Sequence, residues 1–260
     1  MIGGLHLSNP NSFKGPKGYG MPRVLIGMEF SGAIRREMRA RGVDCWSVCD
    51  MPSTDNSPFH IIGDVFDHLD DEWDGAIFHP TCTYNTIAAE WAYNDPDYVR
   101  YPGIGYHQNV KPSTLTGFAR RGAREASITS VKRLLDCNIP RVTIENPRGI
   151  LSTRIRKPDQ TIQPWQFGDD ASKATCLWVR GWPLLVADPA KRCHGRKVEW
   201  PRGSGKIVER WANQTDSNQN RESPSDDRWA KRSITYPGIA AAFAEQYAAV
   251  LFGEARMAAE

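Results

Sequence analysis

The sequence has no Cys-x-x-Cys pair, no Gly-x-Gly-x-x-Gly turn and no apolar run of the roughly eighteen residues that a membrane helix needs. Each absence excludes a class of protein. The six cysteines (Cys45, Cys49, Cys82, Cys137, Cys176, Cys193) are scattered, and Cys193-His194 is a half-site lacking its other half, so no metal is expected. Without a secretory signal or a spanning segment, the expectation is a cytoplasmic protein with reduced thiols and no membrane partner. A net charge of +3 is too small to mark a polyanion binder on its own. The basic clusters Arg35-Arg36, Arg120-Arg121, Arg154-Ile155-Arg156-Lys157 and Lys191-Arg192 suit either phosphate contacts or a solvated surface.

What is present argues for a folded enzyme-sized domain. Of 260 residues, 40% are apolar and nine are tryptophan, enough for a large core. Residues 1–22, rich in Gly, Asn and Lys, read as a flexible leader, with Met21 an alternative start. The pattern then opens with Arg23-Val24-Leu25-Ile26-Gly27-Met28, an apolar run suited to a buried parallel strand. A turn at Glu29-Phe30-Ser31-Gly32 follows, with Ser31 as a candidate cap for a helix to about Arg41 and Gly42 closing it. Further strands are expected at 43–49, 61–65, 76–78, 142–144 and 174–179. Helices are expected at 118–136 and after Pro237-Gly238. Strands alternating with helices predict a doubly wound α/β sheet, Rossmann-like, with a small loop-rich insertion. Ligands in such sheets bind outside the carboxyl ends of the strands.

Chemistry-bearing residues gather at that edge. His79-Pro80-Thr81-Cys82 follows one strand, where proline can stiffen a loop and aim a thiol; a buried, inert cysteine is the alternative. Glu145-Asn146-Pro147 ends another. Asp50, after the second strand, can accept hydrogen bonds from ribose hydroxyls, and Asp64 can meet an adenine amino group. A surface or helix-capping role is the alternative for each aspartate. With glycines too sparse for a pyrophosphate, S-adenosylmethionine fits better than NAD. A thiolate and an acid together suit attack on an electron-poor ring. The thiolate of Cys82 would add at carbon 6 of a cytosine while Glu145 protonates nitrogen 3, leaving carbon 5 nucleophilic enough to take a methyl group. The Tyr-rich stretch 90–117 is a lid candidate or a surface insertion.

The order Phe30-Ser31-Gly32, Asp50, Asp64, His79-Pro80-Thr81-Cys82, Glu145-Asn146-Pro147 resembles the DNA (cytosine-5) methyltransferases, including short phage-type members. The resemblance implies Cys82 as nucleophile and Glu145 as ring-binding acid. It implies cofactor contacts from Phe30, Ser31, Gly32, Asp50, Asp64, Val65 and Pro80. Lys173 and Thr175 stand where the family has the arginines of a Gln-x-Arg-x-Arg strand, and Thr81 separates the usual Pro-Cys pair. Thr235 to Ala240 looks like the family's returning C-terminal segment.

On this resemblance residues 23–182 form the catalytic domain. Residues 183–233 form a reduced, basic target-recognition region with Trp200 and Trp211, and 234–260 a helix returning to the domain. The implied partner is DNA. A short recognition region leaves open a free pyrimidine nucleotide such as dCMP, or a binding protein that has lost catalysis. A monomer is expected, in the host cytoplasm if phage-encoded.

Overall fold

The computed structural model describes residues 20–87, 89–221 and 228–259, so most of the expected leader and residues 222–227 of the basic region lie outside the described residues. The strands are β1 (Arg23–Gly27), β2 (Asp44–Cys49), β3 (His60–Ile62), β4 (Gly75–Phe78), β5 (Val142–Pro147), β6 (Gln160–Ile162), β7 (Thr175–Arg180), β8 (Arg196–Glu199) and β9 (Ile207–Arg210). The helices are α1 (Ala33–Ala40), α2 (Gly117–Leu135), α3 (Leu151–Arg154), α4 (Arg228–Ser233) and α5 (Pro237–Ala259). Seven strands form one sheet in the order β3-β2-β1-β4-β5-β7-β6. β1 to β5 run parallel, and β7 is antiparallel to both its neighbours. This is the expected doubly wound, Rossmann-like α/β sheet, with the order reversing between β1 and β4.

The central strands are buried because both faces are covered. Successive side chains of a strand point to opposite sides. Val24, Ile26 and Ile77 therefore join one core with Ile34 and Met38 of α1 and Phe243 and Tyr247 of α5. Leu25, Ala76, Phe78 and Ile144 join the other with Ile128, Val131 and Leu134 of α2. Each of the Val, Leu, Ile, Phe and Met side chains among these contributes roughly 1.5–3 kcal/mol by leaving water. Helical spacing of Ile239, Phe243 and Tyr247 fixes the buried face of α5; Tyr247 stacks on Trp182 at 4.1 Å and shares a 2.9 Å hydrogen bond with Thr143 on β5. Gly75 makes room for this indole, since a Cβ there would stand 2.1 Å from it.

Four details depart from the sequence reading. Gly32, not Ser31, is the cap residue of α1, with φ of 65°, although the Ser31 hydroxyl still accepts a hydrogen bond from Ala33 N–H at 3.3 Å. β5 runs on to Pro147, so Glu145 and Asn146 lie inside the strand; β4 stops pairing at Ile144, and β7 alone carries the ladder further. β6 was not anticipated, because Gln160-Thr161-Ile162 is too short to show a pattern. Finally, the stretch 183–233 is less irregular than its composition suggests, since β8 and β9 pair as an antiparallel hairpin.

Candidate active site

The ends of β1, β2, β4 and β5 bring most of the sequence-selected residues to one edge of the sheet. At the first of these ends, the turn is built around a buried carboxylate. Glu29 accepts hydrogen bonds from the Ser31 hydroxyl and, at 2.9 Å, from Gly32 N–H. Ser31 is itself buried, so it serves the site through the shape of the turn. Gly32 is required twice over: its φ is positive, and an added Cβ would meet Arg35 Nη2 at 2.1 Å. Arg35, fully buried, and the more exposed Arg36 both donate to Asp55, at 2.7 to 2.9 Å. Burial works against the Asp55 charge, but the two guanidiniums outweigh it and hold this carboxyl well below the usual range. The segment around Asp55 also holds the turn, since Thr54 N–H donates to the Phe30 carbonyl at 3.0 Å.

Asp50 is exposed immediately after β2 and accepts from the Cys49 thiol at 3.3 Å. Asp64, also exposed, caps a short helical turn by accepting from Phe66 N–H at 2.9 Å, which is the capping alternative realised with one of its two oxygens. Val65 is buried, its side chain packed where a Cβ on Gly27 would fall. Only its main chain is available to a ligand.

On the other side of β1, the loop after β4 is held by β5. Asn146 Nδ2 donates to the Pro80 carbonyl at 2.7 Å, and both are buried. Past Pro80 the chain turns, with Asn85 and Thr86 N–H groups donating to the Cys82 carbonyl at 3.0 and 3.1 Å. Ile150 N–H donates to Asn85 O at 2.7 Å, an approach that Gly149 permits because a Cβ there would lie 1.9 Å from that oxygen. Cys82 rides on the outside of this turn, exposed, and none of the described cysteines is in a disulfide.

Glu145 faces three partners. His79, next in line after β4, places Nδ1 3.3 Å from Glu145 Oε2. Lys173, just before β7, acts on the carboxylate by its charge, and Thr175 on β7 by a hydrogen bond. Burial raises the pKa of Glu145, but His79, Lys173 and Thr175 together pull it below the ordinary value. Lys173 and Thr175, paired in the sequence reading, thus act on one carboxylate.

The sequence reading gave His79 no role of its own and passed over Glu29 and Asp55. Only the strand register shows that His79 stands opposite Glu145. The sequence reading took Arg120-Arg121 only as a basic cluster for phosphate contacts or a solvated surface and passed over Arg124, whereas all three arginines of α2 hold the chain after Cys82. Arg120 donates to Thr83 O and Leu115 O, Arg121 to Tyr93 O, and Arg124 to Tyr84 O at 3.0 Å while lying over the Tyr93 ring. Their spacing along one helix face was the available signal. Much of the 90–117 stretch packs through Tyr93 and Tyr106, while Tyr98, Val99 and Ile104 stay exposed. Among the described residues, no group of three or more His, Cys, Asp or Glu side chains is arranged to hold a metal ion. No helix there is long and apolar enough to cross a membrane.

No family model matches the chain, and no curated protein matches it. Among solved structures, it is similar to the crystal structure of a Spodoptera frugiperda DNMT2 mutant, at 11% identity and a TM-score of 0.33. The match covers 63% of this chain and 52% of that one, so the chain spans about half the length of that structure.

Proposed function

We propose that this protein transfers a methyl group from S-adenosylmethionine to carbon 5 of cytosine in DNA, through a covalent adduct on Cys82. The observation that carries the reading is the coupling of the two motifs. The Pro80 carbonyl is hydrogen-bonded to Asn146, next to Glu145, so the loop bearing the thiol and the strand bearing the acid are one construction.

The turn after β1 fits the methyl donor better than a dinucleotide. A pyrophosphate binds to main-chain N–H groups at a helix start. Here Gly32 N–H is already taken by the Glu29 carboxylate, which repels an anion and favours a cation. Phe30 to Gly32, Asp50, Asp64, the main chain of Val65 and Pro80 are the residues to hold the cofactor. When bound, it supplies an electrophilic methyl group. The chain's own residues prepare the acceptor. Cys82 Sγ forms a bond to carbon 6 while nitrogen 3 takes a proton from Glu145. To finish, a base removes the proton from carbon 5, the carbon 6–sulfur bond breaks to restore the ring double bond and release the thiolate, and nitrogen 3 returns its proton to Glu145, on whose carboxylate Lys173 and Thr175 act.

A free pyrimidine nucleotide is the second reading. It is favoured by the small size of the recognition region, whose regular sheet structure among the described residues is the β8–β9 hairpin. Cytosine in a duplex must be flipped out to reach a thiol; a free nucleotide need not be.

Trapping separates these readings. The protein is incubated with S-adenosylmethionine and either a 5-fluorocytosine duplex or 5-fluoro-dCMP, and the adduct is mapped by mass spectrometry. An adduct on Cys82 with the duplex supports the DNA reading, and one with the nucleotide alone supports the second. No adduct with either overturns both and leaves a binding protein.

A further inference from the structure

The chain that leaves β5, from Pro147 to Pro158, carries four cations, Arg148, Arg154, Arg156 and Lys157, and no carboxylate. The proposed reaction gives this strip no role. Its position is fixed at both ends. At the near end Gly149 makes an antiparallel bridge with Thr86 of the Cys82 turn, and Ile150 N–H donates to Asn85 O at 2.7 Å. Ser152 and Thr153 hydroxyls tie the strip to itself, donating to Gly149 O and Ile150 O at 2.8 and 2.9 Å. At the far end the Trp178 indole N–H, from β7, donates to Arg156 O at 2.8 Å. The strip is therefore joined to the turn that bears the thiol and continues the strand that bears the acid.

Its cations are not equally engaged. Arg156 donates to Asp159 at 2.7 Å and to Val179 O at 3.2 Å, so its guanidinium serves the fold. Arg154 pairs with Glu125, whose side chain is 56% exposed, and a pair so open to water adds little and exchanges readily for another anion. Arg148 and Lys157 are exposed, and neither side chain has a hydrogen bond or ion pair among the described residues. Other cations around the site are committed. Arg35 and Arg36 bind Asp55, Arg120 and Arg121 bind main-chain carbonyls, Arg124 binds Glu90, and Lys173 acts on Glu145.

Arg148 follows Glu145 by three residues, no more than about 11 Å of chain. That span is comparable to one nucleotide from ring edge to phosphate. Every pyrimidine nucleotide brings a phosphate, whether free or within DNA, and the residues assigned so far to the ring and the methyl donor leave it unheld. A carboxylate-free row of guanidinium and ammonium groups beside the reacting ring has the complementary charge and donors.

We propose that the strip 148–157 is the phosphate-binding surface of this site. Arg148 holds the phosphate of the target pyrimidine nucleotide, and Arg154 and Lys157 take neighbouring phosphates when that nucleotide is part of DNA. The proposal rests on the reading of the site as one that acts on a pyrimidine nucleotide.

Two measurements on wild type, Arg148→Gln, Lys157→Gln and the double variant test it, with thermal melting as the check on folding. Duplex affinity is followed against salt, and Cys82 trapping is compared between 5-fluoro-dCMP and its nucleoside, 5-fluorodeoxycytidine. Melting temperatures should match wild type, since both side chains are exposed. If the phosphates are those of DNA, each replacement lowers the slope of log affinity on log salt by about 0.9. Binding then weakens about eightfold at about 0.1 M salt, alike for unrelated sequences, and the gap closes toward about 1 M. If the phosphate is that of a free nucleotide, wild type traps the nucleotide in preference to the nucleoside, Arg148→Gln traps both alike, and Lys157→Gln behaves as wild type. Either result supports the strip. Variants that keep both the wild-type slope and the wild-type phosphate preference overturn the proposal alone when wild type still forms the Cys82 adduct. A loss of affinity that is equal at every salt concentration also overturns it, because that marks lost shape and not lost charge. A wild type that forms no adduct with duplex, nucleotide or nucleoside withdraws the transfer reading, and the proposal with it.

Discussion

Asn146 on β5 donates a 2.7 Å hydrogen bond to the carbonyl of Pro80, and both residues are buried. This contact sets the register between the Glu145 strand and the Cys82 loop. We predict that Asn146→Ala leaves the Pro80 carbonyl without its donor and costs about 1–3 kcal/mol of stability. The loss of trapping should be larger than stability explains, about 100-fold, because a displacement of about 1 Å at a nucleophile has that effect. Denaturation midpoints and trapping rates measured on one preparation check this. A trapping rate that falls only in proportion to the folded fraction would remove Asn146 from the site.

Cys82 should behave differently. It is exposed on the outside of its turn, so its side chain adds little to the fold. We predict that Cys82→Ser changes stability by no more than about 0.5 kcal/mol while abolishing the adduct. S-Adenosylmethionine binding, followed by calorimetry, should be retained. Full trapping by the serine variant would move the nucleophile elsewhere.

Glu29 gives a test of cofactor choice that does not need turnover. Its carboxylate lies under the turn, bound to Ser31 and Gly32. Glu29→Gln preserves an acceptor for Gly32 but removes the charge. S-Adenosylmethionine carries a sulfonium cation that S-adenosylhomocysteine lacks. We therefore predict a roughly threefold to tenfold weaker binding of the first and less than about a twofold change for the second, with the gap narrowing as salt is added. Equal losses for the two ligands would show that the variant damages the turn.

The fold was legible because its determinants are local. Val24-Leu25-Ile26 and Ala76-Ile77-Phe78 are continuous apolar runs, and Ile128, Val131 and Leu134 repeat at helical spacing, so strand, strand and helix follow from pattern alone. The same logic fails at β6, where Gln160-Thr161-Ile162 is recruited by pairing with Leu177, Cys176 and Thr175. The motif residues were visible as short polar interruptions at strand ends. Their relations were not. That His79 meets Glu145, or that Arg35 and Asp55 brace the glycine turn, depends on which strands lie side by side, and residues far apart in sequence do not announce it.

Arg120 links α2 to the loop after Cys82. It is buried, donates to Leu115 O and Thr83 O, and lies 4.7 Å from the Tyr93 ring centre. Removing it frees two carbonyls and ends the contacts with the Tyr93 and Tyr84 rings. We predict that Arg120→Ala costs about 1–3 kcal/mol and speeds hydrogen exchange in segments 83–86 and 90–116 well before it affects β1 or β4. Exchange that rises uniformly across the chain would mean that Arg120 supports the whole fold.

Asp55 links acid stability to the turn after β1. Arg35 is 1% exposed, and Asp55 answers its charge at 2.7 Å with a side chain that is 25% exposed. The Asp55 carboxyl sits well below its usual pKa because Arg36 and Arg35 outweigh the effect of burial. A carboxyl whose pKa is lower in the folded chain stabilises it above the unfolded value, about 3.9, and that contribution is lost as pH falls toward the folded value. We predict that Asp55→Asn destabilises the protein by about 1–3 kcal/mol at pH 7, somewhat discounted by solvent at this half-open pair. The gap between wild type and variant should hold steady from pH 7 to about 5 and shrink below about 3.9. Because Thr54 hydrogen-bonds the Phe30 carbonyl, the variant should also loosen the turn and weaken S-adenosylmethionine binding at neutral pH. Urea denaturation at several pH values, with calorimetry at pH 7, measures both. A gap that stays constant down to pH 3 would show that the Asp55 charge adds nothing to the fold, and unchanged cofactor affinity would separate this clamp from the turn.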